Sequence, residues 1–509
     1  MSRAVIAAGH DATAAAAAEV IAAGGCAFDG AVAAVAAACV AEPVLASLGG
    51  GGFLMARPAN GEPVLYDFFV QTPRRRADPA TLDFYPILAD FGDTAQEFHI
   101  GLGAVATPGA LAGLFEIQRD LCRLPPPALL APARRLAEQG VPINPFQHRI
   151  AAIVEPILRA DPATFALHAS RQAPDRLADI GERVPQPALA GALEQLGRHG
   201  PTLLYGGPWG ERLAADCMAH GGHLTAADLT GYRVARRRPL VADYRGARLY
   251  LNPPPSYGGL LIGVTLDLLS QRSLAVAEFG SAAHRQLLAG AMRLTQDLRA
   301  ELSADADAVD PRLLARYRDL MRATPLFSRG TTQISIADRD GNLASLTLSN
   351  GEGAAHLLPG TGMQLNNMLG EEDLNPGGFH RWAEDQRMGS MMCPTLVAHA
   401  DGGWSVIGSS GSNRIRSAIV QVLSNLLDLR MPLERAVDAP RIHVERGTLN
   451  LEPPCDGGLL ASLRGHWPGL RAWRERSVYF GGAHCVAIGA DGSLSGAGDG
   501  RRGGVVRLV

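Results

Sequence analysis

The sequence predicts an α+β fold in which antiparallel sheets are covered by helices, and three observations lead there. Short runs of alternating apolar and polar residues come in adjacent pairs joined by turn residues, as hairpins do. Helical patterns gather in blocks between these pairs. The regular strand-helix-strand alternation of a doubly wound sheet is missing. At 509 residues, 47% hydrophobic and 19% charged, the chain has the material for a large core and lacks the composition of a disordered protein. Typical domain size suggests about three domains, but no low-complexity linker marks a boundary and no repeat stands out. With 47 basic and 50 acidic side chains there is no electrostatic argument for nucleic acid or an anionic membrane. A small or neutral substrate fits better.

Taken in order, the opening "MSRAVIAAGHDATAAAAAEVIAAGG" reads as a buried helix. His10, Asp11 and Glu19 interrupt it, its basic flank is one arginine, and alanine is too weakly apolar to hold a helix in lipid, so neither a signal peptide nor a membrane span is expected. The expectation is a cytoplasmic protein. Residues 11 to 43 form two alanine-rich helices broken at Gly24-Gly25, the second entered through Asp29. In "ASLGGGGFLMARPANGEPVLYDFFVQTP" four glycines lead tightly into a hairpin with its turn at Asn60-Gly61 and its second strand from Val64 to Phe69. Helical patterns then dominate from about 109 to 320, as in "PALLAPARRLAEQGV" and "GALEQLGRHG". The "NPPPSYGG" run at 252 to 259 is a rigid loop, because a proline cluster cannot lie in a central strand.

From Thr331 strands return in "TTQISIAD", "LASLTLS", "PTLVAHADGGWSVIG" and "AHCVAIGADGSLSGAGD", with one helix, "NRIRSAIVQVLSNLLDLRM", between them. The cysteines (Cys26, Cys39, Cys122, Cys217, Cys393, Cys455, Cys485) are seven in number and scattered, with no C-x-x-C pair. They suggest buried thiols rather than disulfides or a zinc site.

The hairpin within "SRGTTQISIADRDGNLASLTLSN" carries the chemistry. Ile334 and Ile336 share a buried face with Leu346 and Leu348 if 334 lies opposite 346 and 336 opposite 344, with the turn at 338 to 342. The same count sets Thr331 opposite Ser349. The other face then holds Thr331, Gln333, Ser335, Ser345, Thr347 and Ser349, a polar set that on its own would simply face solvent. Opposed residues have Cβ atoms about 4.5 to 5.5 Å apart, close enough for two hydroxyls to share a hydrogen.

Gly330 gives the pair of threonines more meaning. A threonine hydroxyl that attacks the carbonyl just before it frees its own α-amine, whose pKa of about 7.7 to 8.0 suits a base near neutral pH. Glycine before it tolerates the bent backbone such an attack demands.

At these residues the chain resembles the gamma-glutamyltransferase (gamma-glutamyltranspeptidase) family of N-terminal-nucleophile hydrolases. The likeness runs through "AAGGCAFDGAVAAVAAACVAEPVLASLGGGGF", "VATPGALAGL", "LLAPARRLAEQGVPI", "PPPSYGG", "TTQISIADRDGNLASLT", "PGTGMQLNNML", "MCPTLV", "GSSGSNRI" and "FGGAHCVAI". It implies a four-layer αββα sandwich of two antiparallel sheets, one domain assembled from a large chain of residues 1 to 330 and a small chain of 331 to 509. Thr331 stands at the nucleophile and Gly330-Thr331 at the cleavage site. Ser349 stands at the threonine that hydrogen-bonds the nucleophile. Gly411 and Ser412 stand at the paired glycines whose N–H groups hold the oxyanion, donors worth about 3 to 4 kcal/mol each. The resemblance implies a small-molecule amide substrate such as a gamma-glutamyl compound, and no metal or organic cofactor.

The departures fall in the substrate pocket. Phe69, in "DFFV", replaces the family arginine that grips the α-carboxylate, and a phenyl ring cannot do what a bidentate guanidinium does. A serine pair becomes Ser390-Met391. The asparagine near the substrate amine falls at Gly351, beside Asn350, and the acid that holds that amine is nearest to Glu371 or Glu372. "TTH" becomes "TTQ", with Gln333. Arg74, Arg75 and Arg76 read as a solvated loop, and Arg414 as either a structural ion pair or a substitute arginine. His10, His443 and His484 need no catalytic role. "GGGGF" lacks phosphate-loop spacing, and "GSSGS" is not a nucleophile elbow. The expected activity is a self-processing amidohydrolase or acyltransferase of this family. The alternatives are a related amidase with a different acyl group and an uncut, silent homologue.

Overall fold

The computed structural model describes residues 2–90, 95–299, 330–375 and 377–509. The end of the helical stretch expected to 320 and the Ser328-Arg329 lead-in lie outside them.

Two large sheets carry the fold. Their strands are β1 Ala4–Ala8, β2 Gly51–Arg57, β3 Val64–Phe68, β4 Ala235–Arg237, β5 Leu240–Tyr244, β6 Ala247–Leu251, β7 Thr332–Asp338, β8 Leu343–Ser349, β9 Thr395–Ala398, β10 Trp404–Ile407, β11 Cys485–Ile488, β12 Leu494–Ala497 and β13 Val505–Leu508. One sheet has the order β13-β1-β7-β8-β2-β3-β4 and the other β12-β11-β10-β9-β6-β5. All pairings within them are antiparallel.

Alternation along the strands makes the layers. Ile6, Leu54, Ile334, Ile336, Leu346 and Leu348 face one way, into a core shared with helices α1 Asp11–Ala22, α2 Ala27–Ala41, α3 Ala110–Leu121 and α4 Pro126–Gln139. Val5, Ala7, Phe53, Met55 and Leu65 face the other way, toward the second sheet, whose residues Leu249, Leu396 and Val406 share a core with α5 Tyr257–Ser270 and α6 Arg414–Leu427. The expected αββα sandwich follows. Among the described residues no helix is long and apolar enough to cross a membrane, and all seven cysteines are free.

Several local expectations are corrected. The opening stretch begins with strand β1, not helix, and α1 starts only at Asp11, where His10 accepts the Ala12 N–H at 3.0 Å. A five-residue apolar run buried on both faces looks the same in a helix or a central strand, so periodicity could not separate them. The second helix starts at Ala27 with Cys26 as its cap. Asp29 sits one turn in and accepts the Cys26 N–H at 2.9 Å. Strands β4 to β6 interrupt the region expected to be helical, where "LVADYRGARLYL" is a hairpin turning at Arg245-Gly246, both with positive φ. The proline loop at 252 ends in helix, because Tyr257 already opens α5.

On the polar face of the β7-β8 hairpin, Gln333, Ser335, Ser345 and Thr347 do not meet water. They lie between the sheets, where hydroxyls and one amide satisfy each other. The Gln333 amide donates to Ser335 Oγ and Ser345 Oγ at 3.1 and 3.0 Å and accepts from Thr347 Oγ1 at 2.6 Å. Ser335 and Ser345 in turn donate to the carbonyls of His484, just before β11, and of Ile407 in β10, at 2.7 and 2.9 Å. A buried polar network without partners would be costly, but paired in this way it keys the two sheets together.

The four glycines that lead into and open β2 have a steric reason. A Cβ on Gly49, Gly50 or Gly52 would stand 2.2 to 2.3 Å from the backbone oxygens of Gln364, Ser349 or Thr347. The run lets the start of β2 lie hard against β8.

Candidate active site

The hairpin register matches the sequence count: Ile336 pairs with Ala344, Ile334 with Leu346 and Thr332 with Leu348. One step further out, Ser349 reaches the bond before Thr331. Its hydroxyl donates to the Gly330 carbonyl oxygen at 2.7 Å and accepts the Gly351 N–H at 3.0 Å. In this uncut chain the serine's hydrogen therefore goes to the carbonyl that Thr331 would attack, rather than to the threonine hydroxyl.

Gly330 is held from its other side too, its N–H donating to Glu352 Oε1 at 2.7 Å. Its backbone is not in the left-handed region. A Cβ there would instead stand 2.7 Å from the Gly351 oxygen and 3.0 Å from the Val44 oxygen. Glycine is needed for room, which corrects the expectation of a specially bent backbone.

Thr332 anchors the strand start by donating to Glu42 Oε2 at 2.9 Å, while Thr13 donates to Oε1 at 2.7 Å. Burial pushes the Glu42 carboxyl up to about 7, against the pull of these two hydroxyls.

Thr331 and Ser349 line a small cavity that is open to solvent. Phe69, Met368, Leu374, Met391, Met392 and Ile415 form its apolar wall, and Glu371, Asp373, Ser390 and Ser412 its polar one. Ser412 follows Gly411 in a turn where both have positive φ, +111° and +51°. The turn leads into α6, with Arg414 N–H on the Gly411 oxygen at 3.0 Å and Ile415 N–H on the Ser412 oxygen at 2.9 Å. N–H groups at a helix start favour negative charge. The Ser412 hydroxyl donates to Asp373 at 3.3 Å. Gly411 is not among the lining residues, and an Arg502 guanidinium nitrogen stands 3.1 Å from where its Cβ would be. Burial pulls the Arg502 pKa down to about 10, with Asp499 opposing.

Residues 13–509 match the family model described as gamma-glutamyltranspeptidase. The chain belongs to the gamma-glutamyltranspeptidase family. Among curated relatives, the Acylase ACY 1 proenzyme of Pseudomonas sp. (strain V22) is 34% identical, over 97% of this chain and 92% of its own. The glutathione hydrolase proenzyme of Escherichia coli (strain K12) is 28% identical, over 95% and 88%. In fold, the cephalosporin acylase from Bacillus halodurans superposes with a TM-score of 0.85 at 23% identity, covering 99% of this chain and 96% of that one. The protein is thus an enzyme of the N-terminal-nucleophile kind, an amidohydrolase or acyltransferase.

Where the family has its carboxylate-gripping arginine, Phe69 is buried and stacked on Phe53 with ring centroids 5.4 Å apart. No arginine or lysine lines the cavity among the described residues. Arg74 and Arg76 are half-exposed and near Asp385 and Glu384. Arg414 is a structural ion pair, 3.6 Å from Glu445 and over the Tyr479 ring at 4.1 Å. Arg387, which the sequence reading passed over, lies nearer. It donates to the Phe69 carbonyl and the Tyr232 hydroxyl and sits 3.5 Å from Asp67, so its charge is directed behind Phe69 and away from the cavity.

Of the two candidate acids, Glu371 lines the cavity and Glu372 is exposed outside it. Glu371 Oε1 and Asn367 Oδ1 would stand 2.3 and 2.0 Å from a Cβ at 351, so an asparagine has no room where the family carries one. Asn350 is fully buried and does not line the cavity, and its side chain has no hydrogen-bond partner among the described residues. Ser390 accepts the Met392 N–H at 3.0 Å.

The three histidines are structural. His10 caps α1, His443 sits between Ser417 and Glu445, and His484 accepts the Asp499 N–H at 3.3 Å. Among the described residues no group of three or more histidine, cysteine or acidic side chains is placed to hold a metal ion.

Glu352 and Asp373 are further residues the sequence reading missed. Glu352 gave one signal, an acid between two glycines directly after the β7-β8 hairpin. Asp373 gave none that distinguishes it from its acidic neighbours.

Proposed function

We propose that the chain cuts itself between Gly330 and Thr331 and then acts as an acylase on amides whose acyl group is not gamma-glutamyl. The observation that carries this is the apolar wall beside Thr331, with Phe69 where an α-carboxylate would need a cation. Thr331 Oγ attacks the substrate carbonyl and passes its proton to its own freed α-amine. The N–H groups of Gly411 and Ser412, at the start of α6, receive the oxyanion. Ser349 keeps its hydroxyl at the nucleophile's side once the Gly330 carbonyl has left. The amine then protonates the departing nitrogen, and water or an acceptor amine takes the acyl group from Thr331.

Met368, Leu374, Met391 and Ile415 suit an apolar acyl chain, and Glu371, Asp373 and Ser390 supply hydrogen-bonding groups along it. The likeness to the Pseudomonas acylase over nearly the whole chain supports this reading. Glu371 favours a second one, gamma-glutamyl transfer or hydrolysis, because a carboxylate there still suits a substrate ammonium.

A panel of acyl anilides separates the two. Without a guanidinium for the α-carboxylate, a charge-assisted contact worth roughly 1.5 to 3 kcal/mol is missing. The gamma-glutamyl anilide is therefore expected to trail the pentanoyl anilide, which has no carboxylate to hold, by about tenfold or more in kcat/KM. A gamma-glutamyl preference of that size would reverse the assignment.

A further inference from the structure

We propose that Glu352 is a positioning residue for self-cleavage: by holding the Gly330 N–H it presents the Gly330 carbonyl to Thr331, and this role ends when the bond is cut. The inference rests on the self-cutting reading above and adds a residue that the turnover chemistry does not use.

Three observations carry it. The Gly330 N–H to Glu352 Oε1 hydrogen bond is short, 2.7 Å, and is made by a carboxylate that is 2% exposed. The carbonyl of the same residue is held by Ser349, also at 2.7 Å. Both peptide planes flanking Gly330 are therefore pinned, one by its N–H and one by its C=O. Finally, Gly330 offers no other handle, since the Gly351 and Val44 oxygens leave no room for a side chain. A reacting pair must be held close and aligned before bond formation, and here backbone hydrogen bonds alone can do it. The buried Arg502 guanidinium interacts with the Glu352 charge and helps keep it inside the protein. Glu352 does not line the acyl cavity.

In the cleavage itself Thr331 Oγ bonds to the Gly330 carbonyl carbon, the bond from that carbon to Thr331 N breaks, and the hydroxyl proton ends on that nitrogen. The resulting ester is then hydrolysed by one water, which leaves a carboxyl on Gly330 and returns a hydrogen to Thr331 Oγ. Glu352 exchanges no proton in either step.

The test follows conversion of the full-length precursor into two chains by denaturing electrophoresis and intact mass. It compares the wild type with Glu352→Ala and Glu352→Gln. Loss of a charge-assisted hydrogen bond predicts that the alanine variant converts about ten- to a hundredfold more slowly. Glutamine still offers a carbonyl oxygen to the Gly330 N–H and should restore part of the rate. Glu352→Ala enzyme that has finished maturing should turn over with a kcat within about threefold of wild type, because the contact it lost belongs to the departed residue.

Wild-type speed in the alanine variant would overturn the proposal. So would equally slow alanine and glutamine variants whose Thr331→Ala precursors both melt well below the parent, since that would mean only structural support. A wild-type chain that never divides would instead overturn the self-cutting reading itself.

Discussion

Replacing Glu42 with glutamine should make the folded protein less sensitive to alkali, and the size of the effect follows from the site. Glu42 is fully buried, and burial moves its carboxyl from 4.5 to about 7 despite hydroxyl donors from Thr13 and Thr332. The unfolded chain ionises this group near pH 4.5, while the folded chain keeps its proton until about pH 7. Folding stability due to Glu42 is thus intact below 4.5, falls as pH rises between the two values, and is fully lost above 7. At roughly 1.4 kcal/mol per tenfold step in proton affinity, the gap amounts to about 3 kcal/mol.

Glutamine keeps the shape, accepts from one threonine and donates to the other, and does not titrate. An unfolding entropy of about 2.1 cal/mol/K per residue gives this chain on the order of 1 kcal/mol/K. The melting temperature of Glu42→Gln relative to wild type should therefore rise by about 2 to 3 °C between pH 5 and pH 8. Both proteins are compared on a Thr331→Ala background, so that each remains one chain. Parallel melting curves across that range would mean that Glu42 does not carry the buried proton, and the argument would fail.

Two further outcomes concern the bond before Thr331. Ser349→Ala removes the donor on the Gly330 carbonyl, where negative charge develops during attack, and should slow chain division by about a hundredfold. Ser349→Thr keeps the hydroxyl and should stay within a few fold of wild type, both followed by intact mass. Gly330→Ala pushes a methyl group against two backbone oxygens, a strain of about 1 to 3 kcal/mol. It should impair division far more than thermal stability, and an alanine variant that divides normally would show that the space is not tight.

The β7-β8 hairpin was legible because two local signals agree. The turn residues at 338 to 342 and the alternation of Ile334, Ile336, Leu346 and Leu348 allow one register, and Ser349 follows from it. The glycine run was legible as a tight strand entry, although not which backbones it touches. What stayed hidden depends on contacts between distant segments. Alternation separated the two faces of the hairpin, but whether Gln333 and Ser345 meet water or a second sheet is decided by residues 60 to 150 positions away, such as Ile407 and His484. Arg387 and Asp67 pair across more than 300 positions, so no local pattern could show that this arginine is turned away from the cavity. β1 was hidden for the opposite reason: an all-apolar run of alanine, valine and isoleucine carries no period at all.

The strand order has a consequence for the two pieces that division at Gly330 would make. β1, from before the cut, is wedged between β7 and β13, both from after it, and each of the two sheets draws strands from both pieces. Dilution would not part such a dimer, nor would it trade halves with another copy, because separation would mean tearing both sheets apart. Separately made fragments would have to thread β1 back between its neighbours, so the continuous precursor is the practical route to an assembled enzyme.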